Sequence, residues 1–187
     1  MKEETERAAE VLRRGGIILY PTDTVWGIGC DATNADAVER IYALKRSANK
    51  KGMIVLTDSI EHVGRYFRSV PPVAWELLEC ADRPLTLILP GACGVAENLV
   101  PEEGTLAIRV PDHEFCRGLV RRLGRPLVST SANLSGEATP VRFGDVVAAI
   151  REGVDYTVDV RCEGSPTGKA SSIIMLGTGG EVKVIRE

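Results

Sequence analysis

The chain has 187 residues, 44% hydrophobic and 26% charged, with a formal net charge of −3 at pH 7. That length supports a single core without staples, and the charge excludes a surface built throughout to grip nucleic acid. No apolar run reaches the roughly eighteen residues of a membrane span, and the start, Met1-Lys2-Glu3-Glu4, is not an apolar signal segment.

Helical periodicity begins at residues 5–14, where Ala8, Val11 and Leu12 share a face and Gly15-Gly16 can end the helix. Ile17–Tyr20 reads as a buried strand stopped by Pro21, followed by a second strand at 25–30. Residues 35–45 form the next helical pattern through Val38, Ile41 and Tyr42, with Asn34 or Asp36 as the cap. Met53–Leu56 suits an inner strand, and helical patterns follow near 60–67 and 72–80. Thr86–Leu89 and Leu106–Val110 read as strands, Phe115 to Leu123 as a helix, and Leu127–Thr130 as a strand entering a Ser/Asn/Gly-rich turn. A helix around Val146–Ile150 and short strands at 155–158, 172–176 and 182–186 complete the chain. Interleaved strands and helices predict an α/β fold, and their irregular alternation predicts a mixed rather than purely parallel sheet.

Cysteine and histidine carry little chemistry here. Cys30, Cys80, Cys93, Cys116 and Cys162 are odd in number and widely spaced, with no C-x-x-C, so a zinc site or disulfide framework is not expected and a reduced, cytoplasmic setting is. His62 and His113 are too few for a histidine-based metal centre and are expected to be solvated or structural.

Several segments could bind a ligand, and each has a plainer reading. Tyr20-Pro-Thr-Asp-Thr-Val-Trp-Gly-Ile-Gly29 places Thr22, Asp23 and Thr24 at a strand end, either facing a small polar ligand or bonding their own backbone. Gly27-x-Gly29-x-x-Ala32 is not a dinucleotide loop, because the region about 20 positions on holds Lys50 and Lys51 instead of an acid. Lys45, Arg46, Lys50 and Lys51 could neutralise polyphosphate, or form a solvated loop at a helix C-terminus. Arg109, inside an apolar strand, needs either a buried carboxylate or a bound anion. Leu127-Val-Ser-Thr-Ser-Ala-Asn-Leu-Ser-Gly136 runs from a buried strand into hydroxyls, an amide and a glycine that could cradle phosphate or carboxylate. Thr86 alone reads as a core strand residue.

Taken in order, Pro21-Thr-Asp-Thr-Val-Trp-Gly27, Ala43-Leu-Lys45, Lys51-Gly52, Pro84-Leu-Thr86, Ile108-Arg-Val-Pro111 and Ser129-Thr-Ser-Ala-Asn-Leu-Ser-Gly136 resemble the YrdC family of threonylcarbamoyl-AMP synthases over nearly the whole chain. The resemblance implies one YrdC-like domain over residues 1–187, a twisted mixed parallel and antiparallel sheet flanked by helices, and a large open concave site. It implies a nucleotidyltransferase that makes L-threonylcarbamoyl-AMP and pyrophosphate from L-threonine, bicarbonate and ATP with Mg²⁺. The product would pass to the complex that modifies adenosine 37 of tRNA. It implies that Thr24, Ser129 and Ser171 face L-threonine. Lys51, Thr86, Ser131, Asn133, Thr139, Arg109 and Arg186 would line the nucleotide site, and Lys45, Arg46 and Lys51 would offset phosphate charge. No protein metal site is implied.

The chain departs from the family pattern at three points. Arg46 follows Lys45 directly where the family reads Lys-x-Arg, Trp26 replaces a common Tyr, and longer relatives carry a further C-terminal domain. Two alternatives stay open. One is an RNA-binding module of this fold without the chemistry, with Lys45–Lys51, Arg121, Arg122 and Arg125 facing double-stranded RNA or tRNA. The other is a paralogue with hydrolytic activity.

Overall fold

The computed structural model describes residues 1–47 and 53–187. Five helices, α1 (Lys2–Arg13), α2 (Ala35–Leu44), α3 (Pro72–Glu79), α4 (Glu114–Leu123) and α5 (Ala148–Gly153), surround the strands among these residues. The strands are β1 (Ile18–Tyr20), β2 (Gly27–Gly29), β3 (Ile54–Leu56), β4 (Leu85–Pro90), β5 (Thr105–Arg109), β6 (Leu127–Ser131), β7 (Tyr156–Thr157), β8 (Ser172–Leu176) and β9 (Val182–Arg186).

Local chemistry accounts for the helix limits. The Asn34 side chain accepts from the Ala37 N–H at 3.0 Å and caps α2. Pro72 opens α3 where its missing N–H costs nothing. Phe115, Cys116, Leu119, Val120 and Leu123 form the buried stripe of α4, which stops at Gly124 with φ 71°. The helical pattern near 60–67 is a 3₁₀ stretch, Ile60–Tyr66, because Val63 is its sole buried residue and no apolar stripe exists to sustain an α-helix.

The strands form one mixed sheet in the order β7-β1-β2-β6-β3-β5-β4-β8-β9. The β1–β7, β3–β5 and β4–β8 pairs are parallel and the other neighbours antiparallel, so the sheet is mixed as the irregular alternation predicts. Register decides which side chains share a face. Tyr20 lies opposite Gly27, Gly27 opposite Ser131, and Ile54 opposite Ser129. Arg109 lies between Leu56 and Thr86, and Thr86 is followed by Ile173 and Arg186.

The opposite face carries Leu19, Ile28, Val55, Leu87, Ile108 and Val128, buried against Val38 and Ile41 of α2 and Ala74 and Leu78 of α3. On the face of Tyr20 and Arg109, α1 and α4 cover only one end. There Ala8, Leu12, Phe115 and Leu119 pack on Ile18, Tyr20, Leu56 and Leu127. The remainder of that face, around Ser129, Ile54, Arg109 and Ile173, borders a hollow. No helix among the described residues is long and apolar enough to cross a membrane.

Candidate functional site

Pro21 ends β1, and the next residues fold back on themselves. Thr22 Oγ1 accepts from the N–H groups of Thr24 (3.1 Å) and Val25 (3.2 Å) and donates to the Val25 carbonyl (2.8 Å). This turn buries Thr22, Asp23 and Thr24 and holds Thr24 Oγ1 2.8 Å from Thr22 Oγ1. A strap from the far end of the chain secures it: the Thr167 and Gly168 N–H groups donate to the carbonyls of Asp23 (2.8 Å) and Thr24 (3.0 Å). The Trp26 indole N–H reaches Glu163 Oε1 on the same strap at 2.7 Å.

The turn aims Asp23 at β5. Arg109 is only 2% exposed, and its Nη1 donates to both Asp23 carboxylate oxygens at 2.7 and 2.8 Å. Asp23 also accepts from the Asp112 N–H at 3.0 Å. Of the two readings of a strand arginine, the buried carboxylate is what this structure shows. Pairing keeps a buried guanidinium tolerable. Arg109 Nε has no partner among the described residues, and the same side chain borders the hollow.

The end of β6 supplies Ser129 and Ser131 and is stapled by α2. Lys45, at the α2 C-terminus, donates from Nζ to the carbonyls of Ser131 (2.5 Å) and Asn133 (2.7 Å), while its own carbonyl accepts from the Ser135 N–H (2.9 Å). Burial lowers the Lys45 pKa to about 8. The Asn133 amide donates to the carbonyls of Leu134 and Glu137, both at 2.9 Å. Lys45 and Asn133 therefore shape the turn and are not part of the hollow's lining. On the other side, the fully buried Thr86 hydroxyl lies 2.7 Å from Ser171 Oγ, and Arg186 Nε donates to the Ser171 carbonyl at 2.9 Å. Thr86 thus lies behind Ser171, which lines the hollow.

The hollow has a volume of about 230 Å³ and gathers Thr22, Thr24, Arg109, Ser129, Ser131, Thr139, Ser171 and Arg186. Among the described residues its lining carries Arg186 and the Asp23-paired Arg109 and no carboxylate, which suits anionic and hydroxyl-bearing ligands. A second cavity of about 700 Å³ is lined by Asp23, Asp58, Arg83, Asp112 and Arg117, among others. Asp23 borders that cavity, while its partner Arg109 borders the hollow.

The remaining candidates fall as follows. Arg46 is exposed, sits outside the lining, and adopts φ 52°, a left-handed conformation that costs a non-glycine residue roughly 1–2 kcal/mol. Lys50 and Lys51 lie outside the described residues. Arg121, Arg122 and Arg125, considered for RNA phosphate, are each paired, with Asp58, Glu6 and Asp31. Sequence reasoning missed Tyr20, whose hydroxyl donates to Ser129 Oγ at 2.7 Å. The available signal was Gly27-x-Gly29, two residues without side chains on one face of a strand beside an aromatic-bearing strand.

A family model described as Sua5/YciO/YrdC, telomere recombination, matches residues 10–187. A threonylcarbamoyl-AMP synthase of Pseudoalteromonas translucida (strain TAC 125) is 34% identical over 164 residues, covering 85% of this chain and 88% of that protein. Among solved structures, P. abyssi Sua5 complexed with L-threonine has a TM-score of 0.85 at 28% identity over 94% of this chain and 52% of that one. A variant of the same Sua5 has a TM-score of 0.90 at 28% identity over 100% of this chain and 56% of that one. The chain therefore spans about half the length of that Sua5.

Proposed function

Because this chain belongs to the Sua5/YciO/YrdC family, we propose that it is a threonylcarbamoyl-AMP synthase, joining L-threonine, bicarbonate and ATP into L-threonylcarbamoyl-AMP and pyrophosphate. One observation carries the reading: the hydroxyls of Thr24, Ser129, Ser131 and Ser171 converge with the guanidinium groups of Arg109 and Arg186 on one hollow whose lining among the described residues holds no carboxylate. That lining suits an amino acid and a nucleotide phosphate together. The P. abyssi Sua5 structure with L-threonine supports the choice of amino acid.

In the reaction, the neutral α-amine of threonine adds to the carbon of bicarbonate with loss of water and leaves a carbamate. A carbamate oxygen then attacks the α-phosphorus of ATP, and the bond to the β-phosphate breaks to release pyrophosphate. The nucleophile belongs to the substrate, so the chain needs no Ser–His or Cys–His pair. Its residues position the reactants and stabilise charge. Thr24, Ser129 and Ser171 hold threonine, with Thr86 behind Ser171. Ser131 and Thr139, near the turn that Lys45 and Asn133 keep in shape, meet the nucleotide together with Arg186 of β9. Arg109, paired with Asp23, borders the hollow, Arg186 supplies positive charge there, and Lys51 offsets charge on the triphosphate. Magnesium would enter with ATP and offset phosphate charge; among the described residues the lining of the hollow would offer it hydroxyls and no carboxylate.

We place the reaction in the cytoplasm, where the five free thiols stay reduced, and assign the product to a tRNA threonylcarbamoyl transfer step. The test is pyrophosphate release from ATP, Mg²⁺ and bicarbonate with threonine present or omitted. Threonine-dependent release is expected. Release that ignores threonine, or none at all, refutes the assignment.

A further inference from the structure

We propose that Tyr20, which does not line the hollow, is a positioning residue that sets the direction of the hydrogen bond Ser129 offers a bound amino acid; this rests on the threonine reading above. Tyr20 closes β1 opposite Gly27 of β2. Its ring leans across that strand: a Cβ at Gly27 would lie 3.7 Å from Tyr20 Cε1, and one at Gly29 only 2.8 Å. The two glycines on this face of β2 therefore admit the ring. The ring carries its hydroxyl past β2 to β6, where it lies 2.7 Å from Ser129 Oγ.

The direction of that bond follows from satisfaction. Tyr20 is fully buried, and Ser129 is the one partner its hydroxyl has among the described residues. A buried phenol that accepted instead would leave its own proton unpaired, so Tyr20 donates. Burial also pushes the phenol pKa well above its usual value, which keeps that proton in place. Ser129 has spent a lone pair and retains its proton, and its side chain borders the hollow. Toward a ligand it is a donor, suited to a carboxylate or carbamate oxygen.

Thr24 also borders the hollow, its Oγ1 2.8 Å from Thr22 Oγ1, and either hydroxyl can donate in that contact.

Tyr20→Phe keeps the ring and deletes the hydroxyl. L-threonine binding is measured by calorimetry for the wild-type chain, Tyr20→Phe, Ser129→Ala and the double variant, with thermal melting alongside. Each single change is expected to weaken binding about three- to tenfold. The double variant should bind no more weakly than Ser129→Ala, because Tyr20 acts through Ser129. A packing fault would instead weaken both backgrounds alike. Tyr20→Phe binding as tightly as wild type, or a loss that persists without Ser129, overturns the proposal. A wild-type chain that binds no threonine is a distinct result, seen before any substitution, and it overturns the underlying reading and this proposal together.

Discussion

Replacing Asp23 by Ala should cost this protein more stability than any other single change at the site. Arg109 is 2% exposed, and both of its close carboxylate contacts are to Asp23. A guanidinium cannot shed its proton at any working pH, so the variant keeps a buried charge with no partner. Removing one member of a buried pair costs about 3–5 kcal/mol. The lost contact to the Asp112 N–H, 3.0 Å in the native chain, adds about 1 kcal/mol. Water entering from the hollow offsets part of this, so about 3–5 kcal/mol is the net expectation. For a chain of 187 residues, each kcal/mol moves the melting temperature by about 2–4 °C, giving a drop of roughly 6–20 °C. Scanning calorimetry and urea titration measure it. The double variant Asp23→Leu, Arg109→Met removes both charges and should recover most of the loss. If Asp23→Ala melts within about 2 °C of wild type, Arg109 is solvated and the buried-pair account is wrong.

Gly29→Ala places a Cβ 2.5 Å from the Val128 carbonyl oxygen and 2.8 Å from Tyr20 Cε1, whereas the closest approach at Gly27 is 3.2 Å. Gly29→Ala should lose about 1–3 kcal/mol in thermal melting, and Gly27→Ala clearly less; the reverse order would contradict the packing of the Tyr20 ring. Lys45 has a folded pKa lowered to about 8 by burial, against 10.5 for the free group. Between those values the unfolded chain binds a proton that the folded chain does not, so stability rises with pH across that window and is lost as pH falls through about 8. The urea midpoint of wild type minus that of Lys45→Met should therefore climb over this range, and a flat difference would mean that Nζ is hydrated.

Much of the architecture was readable from the chain because hydrophobic period and punctuation are local properties. The stripe from Phe115 to Leu123 with Gly124 behind it, and Asn34 before α2, specify helices whatever the helices pack against. The 60–67 segment misled because spacing alone cannot tell an α-helix from a 3₁₀ stretch with one buried residue. The small polar groups after β1 and within β6 stood out for the same local reason: hydroxyls directly beyond an apolar strand have few backbone partners in a sheet.

What lay beyond local reading is set by register and by which half of a sheet face the helices cover. Nothing near Arg109 in sequence names Asp23, 86 positions away, as its partner. No pattern within β1 announces that the Tyr20 hydroxyl ends on Ser129, and the cluster 45–46 did not reveal that Lys45 turns inward to two carbonyls while Arg46 stays exposed. Amino-acid order determines elements through short-range sterics and burial preference. Pairing across the sheet, which juxtaposes residues from distant strands, decides which hydroxyl donates, which charge is neutralised, and where the open half of the face becomes a hollow.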